Sequence, residues 1–527
     1  MRFKLIFALA LLPTLAMAFV PRRDVQLAVS SENARLTVIV EDDFSAGTAR
    51  YTVRNREGRK LDVSPDSISL ASVSPADTTG VQKLLVVPVS FADSSPPPMT
   101  RDEVDDFVFR SHIAAFYQEA SYGQLSWEGR VLDWYTVSRE GRGQWPVFSG
   151  SAFDPDGLYA YIRSQVNIHE FKTLLLLVNH PDFGGGSAFV GKGLFQFDGE
   201  DYSLGFAQVG LANFNSPYGD VPGLRHGEFV TIHELGHALG AMHSGSWDCG
   251  VDESYGSCTP VEYGNRDDVM GTGLHSLHFN GRLKELFHWV RDRVITIAHD
   301  GIYSLAPLEQ RFGTVVVKVQ LPGSEITPLY LEYRRNIGYD ASVQPGLFVN
   351  WVPQRDEERN MARLLDMSPT KGGTWDDVIL PVGSAYRDKG RGIKLTVLSM
   401  DEGALTFVVQ FIAPRCRATE PVISDLPTNV KVRPASTVGM PFRVENPDAG
   451  SCGMGRLKIK LELPENWSYE MATLSPASVE PEGATSWTVP LVTVPKGTPS
   501  GSYTVTVRVR NTSTGLTARK EVRYEVQ

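Results

Sequence analysis

Residues 233–250 read HELGHALGAMHSGSWDCG, and the spacing of their three histidines decides what kind of domain surrounds them. From Glu228 to Ala241 the pattern is helical, with Phe229, Ile232, Leu235, Ala238 and Leu239 at the apolar positions. At roughly 100° per residue, His233 and His237 differ by one turn plus about 40°, so both imidazoles leave one face and can meet one ion. Glu234 lies beside them, near the metal without being a ligand. Gly240 is a helix stop, because glycine enters the left-handed conformation without a Cβ penalty. In an unbroken helix His243 would point roughly 80° away from His233, so the turn at Gly240 is what returns it to the same ion. Three histidines leave one tetrahedral position open, the pattern of a catalytic rather than a structural zinc site. The same histidines could otherwise be polar residues on a partly buried helix; the glycine and third histidine at fixed offsets favour the metal.

The region before this helix alternates strands and helices, as in an α/β domain. The run VQKLLVVPVSFAD (81–93) is nearly continuously apolar, as expected for a strand buried on both faces. Thr100 and Glu103 form a capping box ahead of a helix carrying Phe107, Ile113, Phe116 and Tyr117. LSWEGRVLDWYTV, the helical GLYAYIRSQV, the apolar TLLLLV, a glycine loop at 184–186 and YSLGFAQVGLA continue the alternation.

On the other side of the histidines, after GRLKELFHWV, the runs TVVVKVQL, LYLEYR, GLFVNWV, IKLTVL and ALTFVVQF predict a β-sandwich over 294–412. RLKIKLEL, TSWTVPLV and YTVTVRVR predict an immunoglobulin-like sandwich over 413–527. At the other end, LTVIV and ARYTVRN suggest a small β unit or prosegment over 19–80, closed by the loop SVSPADTTG. Residues 1–18 carry Arg2, Lys4, an apolar run and Ala16-Met17-Ala18, the form of a cleaved signal peptide, with an uncleaved anchor as the weaker alternative. The fold class expected is therefore multidomain: an α/β (α+β) catalytic domain over 81–293 followed by two all-β sandwich domains.

The chain has 527 residues, 42% hydrophobic and 21% charged, and a net charge of -10 without a basic run, which argues against nucleic acid as a partner. No later segment has spanning length, so no transmembrane segment is expected in the mature chain, whose location would be secreted or periplasmic. The four cysteines suggest local pairs, Cys249 with Cys258 and Cys416 with Cys452, among three possible connectivities. Neither pair has the C-x-x-C form of a cysteine zinc site. The acidic clusters Glu41-Asp42-Asp43 and Asp267-Asp268 lack EF-hand spacing, so Ca2+ is possible but unsupported, and they read as turn and surface carboxylates. His226, His275, His278 and His288 read as structural, because three ligands already leave the position that catalysis needs.

The motif H-E-x-x-H-x-x-G-x-x-H is matched at every fixed position by His233, Glu234, His237, Gly240 and His243, and in this the chain resembles the metzincin metallopeptidases. That resemblance implies a Met-turn under the metal, for which Met270 in EYGNRDDVMGTG is the candidate. SYGQLSWEGRV, HELGHALGAMHS, EYGNRDDVMG and HFNGRLKELFHW, in that order, are similar to the gametolysin family over residues 82–290. The resemblance implies a zinc endopeptidase with polypeptide as substrate, Zn2+ on His233, His237 and His243, and Glu234 as general base. Two features depart from metzincin patterns. No cysteine precedes Cys249 to hold a prosegment on the metal, and Thr272 stands where some metzincins have a tyrosine, so an oxyanion donor is unidentified. A reading of another class is a noncatalytic surface-binding protein, with the metalloprotease-like domain as scaffold and the C-terminal β domains as binders; retention of Glu234 weighs against it.

Overall fold

In the computed structural model the described residues are the strands Leu27–Val29, Leu36–Asp43, Thr48–Asn55, Lys60–Leu61 and Ile68–Leu70 and most of the chain from residue 73 to 527. Segments outside the description include 1–26, 138–154, 212–225, 249–258 and 413–417. The signal-peptide reading, His275, Cys249, Cys258 and Cys416 therefore lie outside the described residues.

The apolar run at 81–93 becomes the strand Gly80–Phe91, an interior strand near one end of a nine-stranded mixed sheet. It pairs in parallel with Leu125–Val131 and Tyr135–Val137 on one side and with Thr173–Asn179 on the other. Glu200–Gly210 follows in parallel, then Gly186–Phe197 antiparallel. Both faces of the central strands are covered, which is why their sequences do not alternate. Leu84, Val86, Leu175, Leu177, Ala207 and Val209 pack with the helices Arg101–Phe109, His112–Ala120 and His226–Ala238. Leu85, Val87, Val89, Leu174, Leu176 and Val178 face the other way, onto Leu158 and Ile162 of the helix Pro155–Gln165. Thr100 and Glu103 close a reciprocal capping box at the first helix.

The N-terminal β unit does not stand apart from this sheet. Leu36–Asp43 pairs antiparallel with Gly186–Phe197, and Thr48–Asn55 and Lys60–Leu61 extend the sheet beyond it. Val38, Ile39 and Val40 are fully buried, and Ile39 joins the core with Phe189 and Phe206. At about 1.5–3 kcal/mol per buried aliphatic side chain, these three seat the hairpin firmly.

The expected boundary at residue 293 likewise cuts through one structure. A seven-stranded sheet runs in the order Thr259–Val261, Ser244–Asp248, Ala362–Leu365, Gly346–Trp351, Leu329–Arg334, Val316–Val319, Val294–Ile297. Its first two strands come from the segment just after His243, and Ser244–Asp248 pairs in parallel with Ala362–Leu365. Strands this short carry little periodicity of their own, and a long-range parallel pairing leaves no local signal. A four-stranded sheet formed by Gly301–Leu305, Leu405–Phe411, Ile393–Met400 and Ala385–Asp388 packs over it around Leu331, Leu347, Val349, Leu395 and Phe407.

The C-terminal strands form sheets of three, five and three strands around Phe442, Ile459, Trp467, Val492, Val507 and Tyr524. Gly455–Glu462 alternates strictly between buried and exposed residues, the period-2 pattern of a sandwich strand. Cys452 is disulfide-bonded. The protein is thus a multidomain, β-rich chain. Among the described residues no helix is long and apolar enough to cross a membrane.

Candidate metal centre and active site

The helix His226–Ala238 carries His233, Glu234 and His237 and stops two residues before Gly240, short of the Ala241 end expected from apolar spacing. Gly240 has φ +108°, and a Cβ there would meet Val73 Cγ2 at 2.5 Å, so both conformation and space require glycine. Its carbonyl accepts from Asn360 Nδ2 at 2.9 Å. The chain then turns so that His243, at the entrance to the strand Ser244–Asp248, faces the helix.

All three imidazoles are completely buried. His233 Nδ1 lies 2.7 Å from the Val269 carbonyl and His237 Nδ1 2.8 Å from the Ala241 carbonyl. His243 Nδ1 lies 3.0 Å from Glu262 Oε1 and 2.7 Å from the Tyr51 hydroxyl, which itself donates to Glu262. Carbonyls and carboxylates only accept, so each Nδ1 is the donor to its partner, and Nε2 is the atom that each ring turns toward the others. His233 Nε2 and His237 Nε2 are 3.1 Å apart. Two nitrogens on one tetrahedral zinc at 2.0–2.1 Å would be separated by about 3.3 Å, so the pair fits that ion. Acceptors on the far nitrogen of each ring are also the usual outer partners of metal-bound histidine.

Met270 lies under this group. A Cβ on Gly236, in the helix turn between the two histidines, would meet Met270 Sδ at 2.6 Å. The turn holding Met270 is fixed by Asp268, which accepts from Met270 N at 2.7 Å, Asn280 N at 2.7 Å and Asn280 Nδ2 at 2.6 Å. Arg334 donates to the Asp267 carbonyl and makes two bonds to Asp340, 2.6 and 3.0 Å, tying the same turn to the seven-stranded sheet. Asp268 is thus a buried turn carboxylate with backbone partners.

Asp42 overturns the reading of Glu41-Asp42-Asp43 as a surface cluster. Its carboxylate sits among the three histidines, with oxygens 3.3 Å from His233 Nε2, 3.3 Å from His237 Nε2 and 3.0 Å from His243 Nε2. One ligand atom from each of these four buried residues lies within 4.8 Å of the others. Burial disfavours ionised Asp42, but the charge of His243 and hydrogen bonds from the three rings outweigh it and hold its carboxyl well below the usual range. Burial pushes the imidazolium of His237 down to about 4. His243 also feels burial, yet the Asp42 carboxylate prevails and raises it to about 9. Nothing local in the sequence marks Asp42, which is 191 residues from His233.

Glu234 is fully buried, and among the described residues neither of its oxygens has a hydrogen-bond donor. Burial first, then the charge of Asp42, raises its carboxyl well above the ordinary value. Space for it depends on Gly186 in the neighbouring strand, where a Cβ would stand 2.2 Å from Glu234 Oε1.

Tyr263 was missed as a site residue, although it lies within the EYGNRDDVMG stretch. Its ring centroid is 3.9 Å from that of His243, and its hydroxyl donates to Asp42 Oδ1. Its φ of +57° is unusual for a bulky residue, and backbone strain of this kind gathers at functional sites. The other histidines take different places. His278 bridges Glu119 and Lys284 at 3.0 and 2.9 Å, and His288 Nε2 meets the Val73 carbonyl at 2.9 Å. His226 opens the site helix.

Comparison with known proteins reaches the C-terminal part of the chain. Residues 440–512 match the family model described as NPCBM-associated, NEW3 domain of alpha-galactosidase. No curated protein matches the chain. Among solved structures, similarity is found to a family 123 glycoside hydrolase from Clostridium perfringens, at 9% identity and TM-score 0.17, covering 21% of this chain and 27% of that one. A point mutant of the SrpA adhesin from Streptococcus sanguinis is similar at 16% identity and TM-score 0.16, covering 21% and 60% respectively. The sialic acid binding region of the Streptococcus sanguinis SK1 adhesin is similar at 11% identity and TM-score 0.17, covering 44% and 75%. This chain thus spans less than two thirds of the first two of these structures.

Proposed function

We propose that the protein is an exported zinc endopeptidase of the metzincin type, with His233, His237 and His243 as metal ligands, Glu234 as general base and the C-terminal sandwich as an accessory binding module. The observation that carries this reading is the convergence of three buried Nε2 atoms beside a buried carboxylate that has no donor among the described residues. Zinc bound there supplies Lewis-acid chemistry, acidifying water and polarising a peptide carbonyl. Glu234 takes the proton from the attacking water and passes it to the departing amine nitrogen. Tyr263 is the candidate oxyanion donor that the motif lacks: its hydroxyl reaches the carboxylate oxygen now among the histidines, and so reaches a carbonyl oxygen brought to the same place. Met270 supports the helix from below, and Gly240 returns the third histidine.

The match over 440–512 favours the second reading more directly than the first, because a noncatalytic surface-binding protein needs that sandwich and no turnover. Hydrolysis of casein by the purified chain, before and after limited proteolysis, separates the two. The peptidase reading expects cleavage that a zinc chelator abolishes and added zinc restores. Absence of cleavage in every preparation, together with retention on an immobilised glycan, would establish the binding reading instead.

A further inference from the structure

We propose that the N-terminal hairpin formed by Leu36–Asp43 and Thr48–Asn55 is a built-in inhibitor, whose Asp42 carboxylate occupies the open coordination position of the three-histidine site. The inference rests on the metal reading above. It stands on three observations beyond it.

Asp42 is placed by backbone pairing. Leu36–Asp43 is added to the edge of Gly186–Phe197 with Ile39 opposite Phe189 and Asp42 opposite Gly186, the residue that packs on Glu234. The hairpin thus occupies the sheet edge beside the base, in the mode of an extended polypeptide added as a strand. At the reacting position it presents a side-chain carboxylate rather than a scissile carbonyl.

The carboxylate is also received there. Its oxygens approach all three Nε2 atoms, and the Tyr263 hydroxyl donates to Oδ1. With Asp42 as a fourth ligand the tetrahedron is closed, the arrangement of a structural rather than a catalytic site.

The three histidines, in contrast, are oriented without the hairpin. His233 and His237 bond to carbonyls of Val269 and Ala241, and His243 retains Glu262 when Tyr51 is gone. The segment after the hairpin is independently fastened, with Trp289 Nε1 donating to the Thr78 carbonyl at 2.8 Å and Lys192 paired with Asp77 at 2.6 Å. Displacing the hairpin therefore opens the metal position without dismantling the site.

The test measures binding of acetohydroxamate, a small metal chelator that needs the open position, to the zinc-loaded full chain by calorimetry. Asp42→Ala and the isosteric Asp42→Asn are compared with wild type. Both variants should keep one zinc per chain, because the three histidines are untouched, and bind acetohydroxamate at least about tenfold more tightly, as expected if the blocked form exceeds nine-tenths of the wild-type population. In the cobalt-loaded chain, the visible absorption bands should shift on substitution of Asp42 as the ligand set changes. If Asp42→Ala does not fold, Asp42→Asn decides by the same two measurements. Equal acetohydroxamate affinity and unchanged cobalt spectra in zinc-competent variants would overturn the inhibitor while leaving the metal centre intact. A wild-type chain that binds neither zinc nor cobalt would overturn the metal reading itself.

Discussion

Gly186→Ala separates folding from chemistry at the base. The added Cβ would stand 2.2 Å from Glu234 Oε1 and 2.5 Å from its Cδ and Cγ. Restoring an ordinary contact of about 3.4 Å requires the carboxylate to move by roughly 1.2 Å, and a misplacement of about 1 Å costs on the order of 10²-fold in rate. Glu234 is fully buried and its Cγ must give as well as its carboxylate, so the added methyl overpacks the site, although Gly186 is not held at positive φ. Stability should therefore fall by about 1–3 kcal/mol, the usual cost of extra volume in a packed core, with the protein still folded. Zinc content should stay at wild-type level, since no ligand is touched. The assay is hydrolysis of a short fluorogenic peptide, normalised to bound zinc, on matched preparations freed of the hairpin by limited proteolysis. Wild-type turnover in a folded, zinc-loaded Gly186→Ala protein would refute the placement of Glu234 as base. Loss of zinc with activity would show instead that the strand supports the ligands.

Tyr263→Phe should lower kcat by about 10²–10³-fold, the cost of removing one oxyanion donor, with KM and zinc content nearly unchanged; a change confined to KM would make the tyrosine a binding residue only. Stability should also report the buried pair that holds the Met270 turn. Burial opposes ionisation of Asp340, but Arg334 outweighs it and depresses its carboxyl to about 2, against an unfolded value of about 3.9. A depressed carboxyl stabilises fully above about pH 4 and loses that contribution as pH falls toward 2, so urea midpoints should drop across that window. Asp340→Asn should remove this part of the drop and cost about 3–5 kcal/mol at neutral pH by leaving Arg334 buried without its charge partner. An unchanged urea midpoint in Asp340→Asn at pH 7 would show that the pair does not hold the turn.

What could be read from the sequence was what local periodicity carries. The run LLVVPV announces a strand covered on both faces, and its alternate residues do enter separate cores. The i, i+4 spacing of His233 and His237 puts two nitrogens on one face, and they lie 3.1 Å apart. Asp42 was illegible for the opposite reason. In sequence it belongs to an acidic triplet that resembles a surface turn, and only an antiparallel pairing to residues about 145 positions later brings it to the histidines. The same holds for Ser244–Asp248, whose partner Ala362–Leu365 is over a hundred residues away, so the change in sequence character after residue 293 did not mark a structural boundary. Tyr263 was hidden because its role depends on a left-handed backbone turn that a tyrosine does not advertise.

The central claim is that the three histidines hold the metal while Glu234 moves the proton. It is tested most directly by measuring zinc per chain and peptide turnover together in Glu234→Gln, with wild type and His237→Ala alongside, on matched preparations freed of the hairpin by limited proteolysis. Glutamine keeps the volume of glutamate but cannot accept the proton. Glu234→Gln should therefore retain about one zinc per chain while its turnover falls by about 10²–10⁴-fold, the usual share of general acid–base catalysis. His237→Ala should lose zinc and turnover together. Wild-type turnover in Glu234→Gln, or zinc loss in it as complete as in His237→Ala, would contradict the account.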